Sequence, residues 1–159
     1  MQGQPAQLLS AAAQAGRVEL AAALLRSTGR LRLAVAGSSM LPAIRPRDVL
    51  MIRACPRASA RAGDVAVFVR GGRLFAHRVV SVDASTLVTR GDAVRTPDAP
   101  VEAGEWLGRV VKVVRRGRAF RPGAQPAPVA RVAAHLFSRS AGAGRLFTRI
   151  DGLAWSLAR

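Results

Sequence analysis

The chain has 159 residues, and 25 lysines and arginines stand against 9 aspartates and glutamates, which gives a formal net charge of +16 at pH 7. Half of the residues are hydrophobic, but no apolar run approaches the roughly 20 residues that a membrane-spanning helix needs. The single cysteine, Cys55, excludes an intramolecular disulfide and a cysteine-based zinc site, and we expect neither a metal nor another cofactor.

Residues 1–30 are predicted to form a helical extension. The stretch from Ala6 to Arg26 is rich in alanine and leucine, contains no proline and carries leucines at helical spacing. The first residues lack the charged start, apolar centre and small-residue cleavage site of a secretory signal. We therefore expect a helix here and no export.

Residues 31–118 are predicted to form a mainly β, antiparallel domain, because short β-branched runs with period-two alternation are broken by Gly, Pro and Asp. Gly71-Gly72 separates two such runs, and glycine accepts the positive φ angles of a two-residue hairpin turn. The predicted strands are Leu31–Ala36, Val49–Arg53, Val65–Arg70, Leu74–Val82, Thr86–Arg90 and Leu107–Arg115.

The C-terminal part is predicted to contain a Pro-rich linker, residues 119–128, and a basic amphipathic helical tail, residues 129–159. The tail combines arginines with Phe147, Leu153 and Trp155, a composition suited to the interface of an anionic membrane. The alternative is that the arginines reflect a compositional bias of the whole chain, because they are spread along it.

A candidate nucleophile lies where an apolar run meets a proline-limited turn, at Gly37-Ser38-Ser39-Met40-Leu41-Pro42. A serine hydroxyl needs a base in order to react near neutral pH. Lys112 lies on a late strand and His135 in the basic tail, and both are typical of solvated side chains. His77, in the middle of the strand LFAHRVV, is the base that remains, although a half-buried structural histidine would give the same pattern.

Two carboxylates, Asp92 and Asp98, fall in a loop with Gly and Pro that follows a strand. Either one could fix the tautomer of an imidazole base and stabilise the imidazolium that forms during proton transfer. Aspartates in such loops are also common as turn-capping residues, so the residues alone leave both interpretations open.

Four segments, taken in order, resemble the catalytic segments of the signal peptidase family and of its relatives, the LexA-type self-cleaving repressors. Ser39-Met40-Leu41-Pro42 is similar to the nucleophile box, and the following IRPRDVLMI is similar to its continuation, with Arg47 in place of a glycine. Gly63-Asp64 is similar to the second Gly-Asp strand of the family. The resemblance covers about residues 31–115.

The last two segments resemble the histidine-base branch of that family, which comprises archaeal, endoplasmic-reticulum and sporulation-type members. His77-Arg78-Val79-Val80 occupies the place where the common bacterial signal peptidases have a lysine. Gly91-Asp92 and Asp98 are similar to the final box, with Arg90 in place of a lysine. Gly37 lies where many members have a serine that helps to hold the oxyanion.

The resemblance implies a LexA/signal-peptidase-like β-domain and a serine endopeptidase that works through an acyl-enzyme on Ser39. By position, His77 would be the general base, Asp98 the carboxylate that orients it, and Asp92 a second carboxylate. The residues expected to hold the oxyanion or to contact the substrate are Ser38, Ser39 and Met40.

The expected partner is a peptide or protein substrate, and we expect a cytoplasmic protein that could touch an anionic membrane peripherally through its tail. One alternative is a catalytically inactive peptide-binding or adaptor domain of the same fold. A nucleic-acid-binding regulator is a third class, but no specific nucleic acid is expected. The chain has no tyrosine and few other aromatics for base stacking, and residues 1–30 are too few for a helix-turn-helix domain.

Overall fold

The computed structural model describes residues 4–123, with side chains from residue 12 onward. Helix α1 spans Gln4–Thr28, which confirms the helix predicted near the N-terminus and extends it by two residues at each end. Within the described residues no helix is long and apolar enough to cross a membrane. The predicted C-terminal helices, together with His135, lie outside the described part of the chain.

The described residues form one sheet of seven strands, and every pairing in it is antiparallel. The spatial order is β1-β2-β6-β3-β4-β5, and β7 pairs with the far end of β6. The mainly β fold with an N-terminal helix is therefore confirmed. The strands are β1 Arg30–Ala34, β2 Val49–Ala54, β3 Val65–Arg70, β4 Arg73–Val82, β5 Leu87–Arg90, β6 Trp106–Arg115 and β7 Arg118–Phe120.

The hairpin predicted at Gly71-Gly72 joins β3 to β4, and the two glycines have φ angles of 56° and 68°. One strand was not predicted. Strand β7 follows a turn at Arg116-Gly117, where Arg116 has a φ angle of 49°, a conformation that arginine rarely adopts, and Gly117 has a φ angle of 78°. The β-domain consequently reaches Phe120 and takes in residues 119–120, which the sequence assigns to the linker.

Strand β3 separates two apolar clusters, because its side chains alternate between two buried faces. On one face, Val65 and Val67 pack with a cluster that includes Val18 and Leu25 of α1. On the other face, Ala66 and Phe68 join a second cluster. The members of this second cluster are Ala60, Ala66, Phe68, Val79, Leu87, Val101 and Trp106. Helix α1 thus covers one face of the sheet, and on the other face the second cluster is completed by Ala60 and Val101, from the loops before β3 and after β5.

Candidate active site

The segment that follows β1 carries Ser39 and is held in place by its neighbours. Met40 and Ile44 are almost completely buried in the core, and the Ile44 N–H donates to the Met40 carbonyl over 2.9 Å. The Leu41 N–H donates to the Ser38 carbonyl, which closes a turn around the serine. Because the residues that follow Ser39 are buried in the core, they fix the position of the Ser39 backbone.

His77 lies in the middle of β4, in register with Ala66 of β3. Its side chain is 7% exposed, and its ring meets the ring of Phe75 edge-on with the centroids 5.7 Å apart. Phe68 makes a second edge contact at 6.2 Å. His77 shares the face of β4 that carries Phe75 and Val79, because side chains alternate along a strand. The aromatic walls restrict the imidazole to few orientations.

The structure brings three of the predicted site residues into one chain of hydrogen bonds. The Nε2 atom of His77 is 3.0 Å from the Oγ of Ser39. The Nδ1 atom of the same ring is 2.7 Å from Oδ2 of Asp98. If Nδ1–H donates to the carboxylate, Nε2 is left as an acceptor for the serine proton. Such an arrangement can remove a proton from Ser39 Oγ and hold the resulting imidazolium.

Asp98 is itself oriented by a residue to which the sequence analysis gave no role. Thr89 of β5 is fully buried, and its hydroxyl donates to Oδ2 of Asp98 over 2.6 Å. The Asp98 N–H donates to the Thr89 carbonyl over 2.8 Å, so two bonds tie the loop to the strand. Burial alone would raise the pKa of the Asp98 carboxyl, but the hydrogen bonds from His77 and Thr89 outweigh it and leave that pKa below its ordinary value.

Asp92 makes its contacts with Arg78. The guanidinium of Arg78 holds both carboxylate oxygens at 2.7 Å, and the two side chains are only 6% and 3% exposed. The third nitrogen of the guanidinium, Nη1, donates to the carbonyls of Gly63 and Gly123. The ion pair therefore attaches the loop after β5 to β4 and has a structural role. Asp98 is the carboxylate that contacts the imidazole.

The loop that carries Asp92 also touches the backbone of Ser39. The Ala93 N–H donates to the Ser39 carbonyl over 2.9 Å. Gly91 lies so close that a Cβ atom there would be 2.6 Å from the Ser39 carbonyl oxygen. A side chain is therefore excluded at Gly91, and the position of Ser39 depends on contacts with this loop.

The two neighbours of Ser39 in the sequence are the remaining candidates for holding the oxyanion or contacting the substrate. Ser38 and Met40 flank Ser39 directly, and among the described residues the N–H groups of Ser39 and Met40 donate to no other group.

Lys112 is exposed in the middle of β6. Arg47 adopts a φ angle of 72°, so the turn before Asp48 keeps a left-handed residue although glycine is absent. Within the described residues no group of three or more His, Cys, Asp or Glu side chains could hold a metal ion.

A small apolar cleft that is partly open to solvent adjoins Ser39. It lies between the end of β1 with the segment that follows it and the start of β4. Its lining residues are Leu33, Ala34, Val35, Gly37, Ser39, Met40, Ile44, Leu50, Leu74, Phe75 and Ala76. This apolar lining suits a small uncharged side chain next to the serine hydroxyl.

Comparison with known proteins agrees with this fold. The sequence profile of the Peptidase S24-like family matches residues 2–111, which is more than half of the chain and includes Ser39, His77, Asp92 and Asp98. A search of curated proteins found no significant match. The chain belongs to the Peptidase S24-like family.

Proposed function

We propose that this protein is a serine endopeptidase of the signal-peptidase-like class, of the histidine-base type. The observation that carries the proposal is the placement of one imidazole between the Ser39 hydroxyl, at 3.0 Å, and the Asp98 carboxylate, at 2.7 Å. Membership of the Peptidase S24-like family supports a peptidase-like role in general. The choice of histidine as the base rests on the geometry around His77.

In the proposed reaction, Oγ of Ser39 attacks the carbonyl carbon of the scissile bond while its proton passes to Nε2 of His77. The tetrahedral intermediate then breaks the C–N bond, and His77 returns the proton to the leaving amine. A water molecule, deprotonated by His77, hydrolyses the acyl-enzyme and restores the serine. The unbonded N–H groups of Ser39 and Met40 are the available donors for the oxyanion.

The substrate would be an extended segment of a peptide or protein. Among the described residues β1 pairs only with β2, so its other edge offers free backbone groups to an added strand. That edge leads directly to Ser39, and the apolar cleft beside it would receive one uncharged side chain. Both features support an endopeptidase that binds the substrate through its backbone and recognises a small or aliphatic side chain near the scissile bond.

The proposal is tested by incubating the full chain with a diverse peptide mixture and identifying the products by mass spectrometry. We expect the parent protein to cleave a subset of peptides, and Ser39→Ala and His77→Ala to lose that cleavage by at least about 10³-fold. Lys112→Ala is the matched control, because it removes the lone lysine, which is exposed on β6. It should cleave like the parent.

Two results would contradict the proposal. Cleavage that persists in Ser39→Ala and His77→Ala would show that another group performs it. Peptide binding by the parent without any cleavage would favour the peptide-binding domain of the same fold.

A further inference from the structure

A cluster of cations covers the side of the sheet opposite to α1, across three neighbouring strands. Their neighbours in sequence, such as Leu31 and Ile52, are buried in the cluster that α1 covers, so the cations project to the other side. We call this surface the cationic face, and it consists of Arg30 and Arg32 on β1, Arg53 on β2, and Arg109 and Lys112 on β6.

The strand register places these cations directly beside one another. Arg30 is opposite Arg53, and Arg53 is opposite Arg109, which gives a row of three arginines across strands about 4.8 Å apart. In the next row Lys112 and Arg32 flank Met51. Like charges directly opposite each other on a sheet destabilise it. The arrangement therefore favours an anionic partner.

The acidic side chains of the described residues hardly compensate this charge. Arg109 pairs with Asp64 at 3.1 Å, but no other member of the cationic face has an ion-pair partner within the described part of the chain. The other aspartates and glutamates that form ion pairs do so elsewhere in the fold. Examples are Asp48–Arg115, Asp92–Arg78 and Glu105–Arg70.

The residues around the cations bear on whether the anionic partner is a nucleic acid or a lipid surface. The exposed large hydrophobics of the described residues are Leu20, Val82 and Val94, none of which belongs to β1, β2 or β6. A single-stranded nucleic acid would need aromatic rings for stacking, and a duplex would need an element that enters a groove. Cations on an open sheet face need only a plane of anionic groups. We propose that the cationic face binds the surface of an anionic lipid bilayer.

The test is co-sedimentation of the full chain with vesicles of phosphatidylcholine containing phosphatidylglycerol. Each cation near such a surface contributes enough to change binding about fivefold. The Arg30→Gln/Arg53→Gln variant should therefore bind about 25-fold more weakly than the parent. The matched control is Arg17→Gln/Arg90→Gln, which removes the same charge from exposed positions on α1 and β5 and should lose less than about threefold.

Thermal unfolding guards against a folding artefact. Because Arg30 and Arg53 repel each other across the strands, their double variant should unfold at the same temperature as the parent or higher. Equal vesicle binding by the parent and the double variant would overturn the proposal. So would parent binding to a duplex oligonucleotide, without vesicle binding, that weakens in the same double variant, since the face would then bind nucleic acid.

Discussion

His77 and Arg78 are consecutive residues of β4 that pair with different aspartates on opposite sides of the strand. His77 contacts Asp98, and Arg78 holds Asp92 with two hydrogen bonds. Side chains of consecutive strand residues point to opposite faces, so His77 and Arg78 bind their carboxylates on opposite sides of β4. The pairing with His77 faces Ser39, whereas the pairing with Arg78 fastens the loop that supports Ser39.

Asp98→Asn should reduce peptide cleavage strongly while leaving the protein folded. An amide can replace the carboxylate in size, but it cannot stabilise an imidazolium and can accept a different tautomer of His77. We expect kcat/KM to fall by about 10³–10⁴-fold, mainly through kcat, with a small change in KM. Steady-state kinetics on a cleaved peptide measure both constants. A loss confined to KM would assign Asp98 to substrate binding.

The stability contributed by Asp98 should disappear in acid. Its pKa lies below the ordinary value of about 3.9, and a carboxyl of this kind stabilises the folded state above its unfolded pKa. The contribution is lost as the pH falls through the lower folded pKa. The difference in free energy of unfolding between the parent and Asp98→Asn should therefore persist down to about pH 4 and shrink below it. Denaturant unfolding at a series of pH values measures this, and a difference that grows with acidity would contradict it.

Breaking the pair of Arg78 and Asp92 should cost stability. Both side chains are almost completely buried, so Asp92→Asn leaves a buried guanidinium without its counter-charge. We expect the free energy of unfolding to fall by about 3–5 kcal/mol for Asp92→Asn or Arg78→Met, as measured with denaturant.

The double variant Arg78→Met/Asp92→Leu is the control for this pair, because it removes both charges. It should be more stable than either single variant. Single variants within about 1 kcal/mol of the parent would show that the pair is not a structural anchor.

Gly91→Ala should disturb the serine without touching the hydrogen-bond chain directly. The added Cβ would lie 2.6 Å from the Ser39 carbonyl oxygen, so that backbone must move. We expect a loss of about 1–3 kcal/mol in stability together with a fall in cleavage rate. Gly104→Ala is the matched control, because nothing lies within 4 Å of a Cβ there, and it should resemble the parent. Equal behaviour of the two variants would remove the packing argument.

Much of this arrangement could be predicted because it depends on local signals. Alternating apolar residues and the Gly71-Gly72 pair predicted the central hairpin, and the scarcity of bases pointed to His77. The sequence alone left Asp92 and Asp98 as alternatives, and the resemblance favoured Asp98 for the imidazole. In the structure Asp98 does contact the ring, a geometry that depends on how the loop folds back on β5.

Other features depend on contacts between residues far apart in the sequence. Thr89 is one polar residue in an alternating strand, and its role becomes visible only when the fold places Asp98 next to its hydroxyl. The excluded side chain at Gly91 follows from a segment that lies some fifty positions earlier in the chain, at Ser39. The cationic face depends on register, which brings Arg30, Arg53 and Arg109 together from three separate strands.

The most direct test of the account is the reaction of the full chain with a serine-directed fluorophosphonate, followed by peptide mapping. We predict a single adduct on Ser39 that is absent from Ser39→Ala and forms much more slowly in His77→Ala. Ser38→Ala, which removes the adjacent hydroxyl, should keep the adduct at Ser39. An adduct on Ser38, or labelling that is undiminished in Ser39→Ala, would contradict the account.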